Sequence, residues 1–539
     1  MRASVPLTQS ARRVRRTAAG LLAALLLTQS VLPAAAQIPA AEPPAPSSLP
    51  ALGESAGRDL SPAAERALGD RIMRSIRPDP AVIDDPVLAE HIDDLWQRLV
   101  SAARRRGDIT TEVDSQFAWE TFLVREPSVN AFALPGGYVG VHLGLINVTT
   151  TRDELASVLA HELSHVTQRH IVRSIGVQQT QSLVSLAAMI LGVLAASYSP
   201  AAAQALMTGG QAVAVQNQLN FSRDMEREAD RIGFGVLTGA GFSPAGMASM
   251  FERLEEAARL NDDGSYPYLR SHPLTTERIG EARGRLGSQQ RRMPTESDDP
   301  VHTLLRMRAR VLMDPRAVVL RPIIDGGTQP EAARTGLDSL NRAYGALIAA
   351  TQLRDERAGE AAMEQMHVRA QALPATTRDR LMRELDLAEL EFLLMRRDGQ
   401  RADALLARHA SDDGRPLLVL RAQRALLPDA TAAQRTRAAA DLQTAVATRP
   451  RDALAWSLLA QTWERLGQPL RAVRADAESS AALGRMADAI ERLRSAQRQA
   501  KSGNASTPAD FVELSVIDSR LRTFEAERRR EMELDRNGP

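Results

Sequence analysis

Apolar and polar positions alternate with different periods along this chain, and the period changes mark its elements. Leu155, Leu159, Leu163 and Val166 recur at helical spacing, and Thr151 with Glu154 has the spacing of a capping box. A helix is therefore predicted from residue 151 to about 171. Residues 65–76 and 87–105 share the helical period, whereas 118–124 and 138–146 read as strands. Pro135-Gly136-Gly137 marks a tight turn ahead of the second run. Residues 130–134 pair with that run either as an ordinary hairpin or as an edge that adds a peptide by backbone hydrogen bonds.

A further helix is predicted over 222–239. Between the two helices, residues 174–222 form a stretch of 49 without a formal charge. Its most apolar part, 186–196, is too short to cross a bilayer. The stretch reads as a buried or lid-like helical hairpin, or as a peripheral contact with a membrane surface. Beyond residue 300 the pattern is helical. Ala404, Ala438 and Ala472 are spaced by 34, as are Pro416 and Pro450, and Gly399 and Gly467 differ by twice that. This is the period of tetratricopeptide (TPR) repeats; the alternative is a generic helical bundle. The expected fold class is α+β: a domain with a small sheet, followed by an all-α, TPR-like helical repeat domain.

Composition adds boundaries. Arg12, Arg13, Arg15 and Arg16 precede an apolar run over 18–32, and Ala34-Ala35-Ala36 offers a cleavage site. Residues 1–36 thus read as a signal peptide and 37–57 as a Pro/Ala-rich linker. The first domain spans 58–287, a second linker 288–300, the repeats 301–500, and a tail with a helix 501–539. Without residues 1–36 the net charge moves from +1 to −4, so no basic footprint for nucleic acid remains. There is no cysteine, which excludes disulfides and a lipid anchor on cysteine. An exported, periplasmic protein is expected, and any metal site in it must be built from histidine and carboxylate.

His161-Glu162-Leu163-Ser164-His165 supplies that chemistry. Residues four apart share one helix face, so His161 and His165 can present two imidazoles to one zinc ion. Glu162 is rotated by about 100° and sits beside the metal, where a carboxylate can take a proton from the attacking water and pass it to the leaving amine. Zinc needs a third protein ligand and an open position. Glu226 is the candidate ligand, and Asp230, four residues on, would orient a ligand histidine. Glu228 is expected to point elsewhere as a solvated charge. His170 falls about 140° round the helix from His165 and reads as structural.

HELSH, SRDMEREAD, NAFALPGGYVGVHLGLI and SHPLTTER, between Asn130 and Arg278, resemble the HtpX-type gluzincin peptidases. The signal peptide and the carboxy-terminal repeats narrow the resemblance to the periplasmic members that serve outer-membrane β-barrel assembly. It implies a zincin-type metalloprotease domain holding one Zn2+ per chain. It also implies peptide hydrolysis of unfolded or misassembled outer-membrane proteins, a chaperone-like role, and docking on the β-barrel assembly machinery through the repeats. The rival reading is an assembly or binding factor with a structural or largely closed zinc site; Glu162, which a structural site does not need, favours the enzyme. Arg278 matches an arginine that follows the His-Pro pair and either supports the oxyanion or makes a surface salt bridge. His142 departs from the family pattern and reads as structural. Pro273 should hold His272 on an extended loop. There it either fills the vacant zinc position and keeps the enzyme latent, or donates to the oxyanion.

Overall fold

The computed structural model describes residues 60–175, 222–260, 268–269, 272–286, 299–329, 336–500 and 507–537. The signal peptide, the Pro/Ala-rich linker, nearly all of the uncharged stretch and most of the second linker lie outside the described residues.

Helix α1 (Pro62–Ile76) starts at Ser61, whose hydroxyl accepts from the Ala64 N–H, with proline in the first turn. It leads through β1 (Val82–Ile83) to α2 (Pro86–Arg106), capped by Asp85 at its start and by left-handed Gly107 at its end. After α3 (Thr111–Gln116) come β2 (Glu120–Val124), β3 (Ala131–Leu134) and β4 (Tyr138–His142). These strands form one mixed sheet in the order β1-β2-β4-β3. β4 runs parallel to β2, pairing Glu120 with Tyr138, and antiparallel to β3, pairing Leu134 with Tyr138. β3 is thus an edge strand, and it packs against the helix that carries His161.

The strand predicted to reach residue 146 stops at His142, and the chain continues as helix α4 (Leu143–Val148). Every residue from Tyr138 to Ile146 is buried, so no alternation distinguishes strand from helix there. Packing decides: a Cβ on Gly144 would lie 2.1 Å from the Pro127 carbonyl, so only glycine lets the chain turn there. The long helix predicted to residue 171 is also two helices, α5 (Arg152–Thr167) and α6 (His170–Ile175). Between them Arg169 has φ 52°, a left-handed conformation uncommon outside glycine. Its guanidinium is held by the Glu65 carboxylate, 2.8 Å away on α1, and by the Leu60 carbonyl. The break is therefore fixed by residues 104 positions distant in sequence.

α7 (Arg223–Gly239) begins at Ser222, which accepts from the Met225 N–H, and lies along α5. The two helices approach at Gly233, where a Cβ would stand 3.1 Å from the Ala160 carbonyl. α8 (Ala245–Leu260) and α9 (Thr276–Leu286) complete this half. Everything described after it is helical: α10 (Pro300–Met313), α11 (Ala317–Thr328), α12 (Leu337–Leu353), α13 (Glu356–Gln371), α14 (Ala375–Met395), α15 (Gly399–Arg408), α16 (Arg415–Leu426), α17 (Ala432–Thr448), α18 (Ala453–Arg465), α19 (Pro469–Ala482), α20 (Met486–Gln499) and α21 (Pro508–Asn537). The expected fold class, a small sheet with helices followed by an all-helical region, is borne out.

Two details of the repeat pattern differ from expectation. Ala438 and Ala472 are buried but Ala404 is exposed, and Pro416 lies in the first turn of α16 whereas Pro450 precedes α18. The spacing of 34 thus does not link equivalent positions across 399–450. Pro428 lies in the turn between α16 and α17.

The core does not stop at the second linker. Leu305 and Leu312 of α10, Leu390 of α14 and Leu417 of α16 share one apolar cluster with Leu155 and Leu159 of α5. Charge reinforces this joint. Arg308, 3% exposed, makes paired bonds to Asp85 (2.7 and 2.8 Å) and to Glu391 (2.5 and 3.1 Å). No helix among the described residues is long and apolar enough to cross a membrane.

Candidate metal centre

Helix α5 is buried over most of its length, so its two histidines face the protein interior rather than solvent. His161, His165, Glu226 and His272 each aim one ligand atom at a common point, and these atoms lie within 4.8 Å of one another. His165 Nε2 is 3.0 Å from His161 Nε2, which is 3.3 Å from His272 Nδ1. Glu226 reaches both α5 histidines at 3.4 Å and His272 Nδ1 at 2.9 Å. Ligands bound at about 2.05 Å in a tetrahedral shell stand about 3.3 Å apart. Three imidazoles and a carboxylate at this spacing fit a zinc ion.

The fit extends outward. His161 Nδ1 lies 2.9 Å from Asp230 Oδ1, which leaves Nε2 for the cluster. Burial works against charge on His161, but Asp230 and Glu226 outweigh it and hold its pKa up at about 9. Burial pushes the pKa of His165 well below the usual value. Glu226 resists the upward pull of burial because His272 and His161 flank it, and its carboxyl is held below the usual range.

Glu162 stands beside the four and is 0% exposed. Among the described residues neither of its oxygens has a well-directed hydrogen bond, and His272 Nε2 lies 3.5 Å from Oε1. Burial raises its pKa; His272, His161 and the Ala133 backbone offset only part of that.

Burial decides against one of the two readings of Arg278. At 4% exposure it is no surface salt bridge. Its guanidinium donates to Asp230 (2.7 and 2.8 Å) and to the Pro273 carbonyl (2.9 Å), and one of its nitrogens stands 2.8 Å from Glu226 Oε2. It braces the two acids that face the histidines. His272 lies outside any helix, ahead of α9, and its N–H donates to the Tyr268 carbonyl at 2.8 Å. The ring lies against Tyr268, with centroids 4.7 Å apart. Tyr268 was invisible in the sequence, one of two tyrosines in a polar stretch; its N–H donates to the Val129 carbonyl at 3.3 Å, beside the strand region.

Two further corrections concern α6 and α7. His170 touches His165, Nδ1 to Nδ1 at 3.0 Å, because the left-handed break at Arg169 swings it back. Glu228 is not a solvated charge: it accepts from His170 Nε2 at 3.0 Å and from Arg173 at 3.1 Å. His142 is buried at the end of β4, 2.9 Å from the Ser128 hydroxyl, and is not among the four grouped ligand residues.

This arrangement of helix, edge strand and His/Glu cluster has relatives. Residues 90–286 match the family model of Peptidase family M48. The chain is 38% identical over 253 residues to the beta-barrel assembly-enhancing protease of Escherichia coli K12, covering 47% of this chain and 49% of that one. It is 40% identical over 252 residues to a Vibrio cholerae counterpart, covering 47% and 50%. It is also 31% identical over 187 residues to the mitochondrial metalloendopeptidase OMA1 of Arabidopsis thaliana, covering 35% and 36%. The chain thus spans about half the length of the curated assembly-enhancing proteases it matches. The expected likeness to peptidases of β-barrel assembly is borne out over this region.

Proposed function

We propose that the chain is a periplasmic zinc endopeptidase that cleaves unfolded or misassembled outer-membrane proteins and assists their assembly. The observation that carries this is Glu162: a fully buried carboxylate without a well-directed hydrogen bond, beside four converging ligand atoms. His161, His165 and Glu226 would hold one Zn2+, which would supply Lewis acidity toward a water and a peptide carbonyl. Glu162 takes the water's proton on a carboxylate oxygen and returns it to the leaving nitrogen. Its raised pKa, caused by burial, makes it a better proton acceptor than an exposed glutamate. Asp230 keeps His161 in the tautomer that presents Nε2, and Arg278 keeps Asp230 and Glu226 in place.

His272 gates the site. Its support is that Nδ1 lies within ligand distance of the others while the residue is 2% exposed. With His272 beside the other three donors a water would be excluded, and the protein would be latent until His272 moves away. This closed arrangement favours a gated enzyme over a chaperone-like factor with structural zinc, since structural zinc would not require Glu162 to remain unbonded. Docking on the β-barrel assembly machinery falls to the helical region. A cavity of about 710 Å³ between α15 and α17, with Arg421, Arg437 and Arg449 beside Ala438 and Ala445, suits an extended polypeptide. The name borne by the relatives above supports this substrate class.

The test measures zinc per chain and casein cleavage, with and without chelator, for the native chain and His272→Ala. One zinc per chain and chelator-sensitive cleavage that rises several-fold in His272→Ala are expected. Absence of zinc, or cleavage that survives its removal, would overturn the peptidase reading. Slower cleavage in His272→Ala would make His272 an oxyanion donor instead.

A further inference from the structure

The two histidines of α5 are supported by different outer groups, and the support of His165 has a defined direction. The rings of His165 and His170 meet edge to face, with centroids 4.9 Å apart and planes at 76°. His165 Nε2 faces His161 and Glu226, so this is the nitrogen that must offer a lone pair to a cation. Its proton then belongs on Nδ1, 3.0 Å from His170 Nδ1, which must be the acceptor. The second proton follows from the first: His170 carries its hydrogen on Nε2 and donates it to Glu228, 3.0 Å away. Each donor in this series meets an acceptor, and one choice of tautomer at the metal side sets the whole chain.

We infer that His170 and Glu228 are positioning residues of the metal centre, a histidine–carboxylate relay that orients His165 and raises its donor strength. It is the counterpart of the direct Asp230 contact on His161. The relay does for His165 through two side chains what Asp230 does for His161 through one, because the break at Arg169 brings α6, not α7, against its outer edge. Glu228 is available since it stands two residues past Glu226 on α7, pointing to the side where α6 lies. Arg173 also contacts Glu228, and being 47% exposed it serves as a control for a purely structural tie between α6 and α7.

The inference rests on the proposed zinc site, and its test separates the two. Zinc affinity is measured on the full chain by competition with a chromophoric chelator, alongside the unfolding midpoint of the zinc-free protein and the visible spectrum of the Co2+-loaded protein. Glu228→Gln keeps size and removes the charge. It should weaken zinc binding about 10-fold or more, as is typical for outer partners of ligand histidines. His170→Asn should weaken it at least as much and shift the Co2+ bands. Arg173→Ala should leave affinity within about twofold by contrast, as an exposed ion pair contributes little. If the native chain binds no zinc, the metal reading itself fails. If it binds zinc and Glu228→Gln binds equally well with an unchanged Co2+ spectrum, the relay is refuted. The same holds if Arg173→Ala and Glu228→Gln both lower only the zinc-free midpoint: the contact is then a structural tie.

Discussion

Charge is buried in both halves of this molecule, but under different rules. In the helical half each deeply buried arginine is answered by nearby acceptors. Arg308 has Asp85 and Glu391; Arg424 has Asp403, Asp429 and the Gly399 carbonyl; Arg369 has the Ser339 and Gln329 carbonyls. In the sheet-bearing half, Glu162 is a carboxylate with both oxygens buried and neither in a well-directed hydrogen bond. An unsatisfied buried charge is expensive, and a structure tolerates it where something other than stability requires it. The satisfied network holds the fold together; the unsatisfied group marks the chemistry.

The sharpest way to break this contrast is Glu162→Gln. Cleavage should fall by about 10²–10⁴-fold, the range for a lost general base, while zinc content stays the same and the unfolding midpoint is equal or higher. Retained cleavage in the zinc-loaded variant would show that Glu162 is unpartnered for no catalytic reason.

Arg308→Leu should do the converse. Removing one member of a buried ionic group strands the others, and the loss should be near the lower end of the usual range, about 3 kcal/mol, because Asp85 and Glu391 keep some access to water. The first denaturant transition reports it, with zinc binding intact in the folded fraction. A change below about 1 kcal/mol would mean that the network is dispensable and the contrast is overstated.

The smallest effect concerns acid. His302 on α10 faces His91 on α2 at 3.4 Å and the Thr149 hydroxyl at 3.0 Å, with Asp299, Asp94 and Arg152 nearby. Burial holds His91 at about 3 and His302 at about 4. In the unfolded chain both titrate near about 6.5. Between these limits the unfolded chain binds protons that the folded one refuses, so this joint contributes full stability above about pH 6.5 and loses it as pH falls toward 4. The unfolding midpoint should therefore drop from pH 7 to 5, and His302→Asn should flatten that drop. An equal slope in the variant would place the acid sensitivity elsewhere.

Much of the centre could be read from spacing alone. His161, Glu162 and His165 share a helix, and Glu226 with Asp230 repeats the interval of four on a second helix, so local geometry already aims them. What local geometry could not supply was a break in a helix. The angular argument that set His170 apart from His165 assumed an unbroken α5, and it failed because Glu65 on α1 holds Arg169 left-handed. The burial of Arg278 escaped the sequence for a related reason, since a guanidinium's surroundings depend on which carboxylates the fold sets around it.

The sequence by itself determined the α+β order of the elements, the helix that presents the histidines, and the candidate donors, because periodicity and i, i+4 spacing act within one helix. Tertiary structure decided where β4 ends, where α5 breaks, that the core runs on past residue 300, and which outer groups support each histidine. These outcomes depend on contacts between segments tens to hundreds of residues apart. A buried run such as Tyr138–Ile146 carries no alternation that could reveal them in advance.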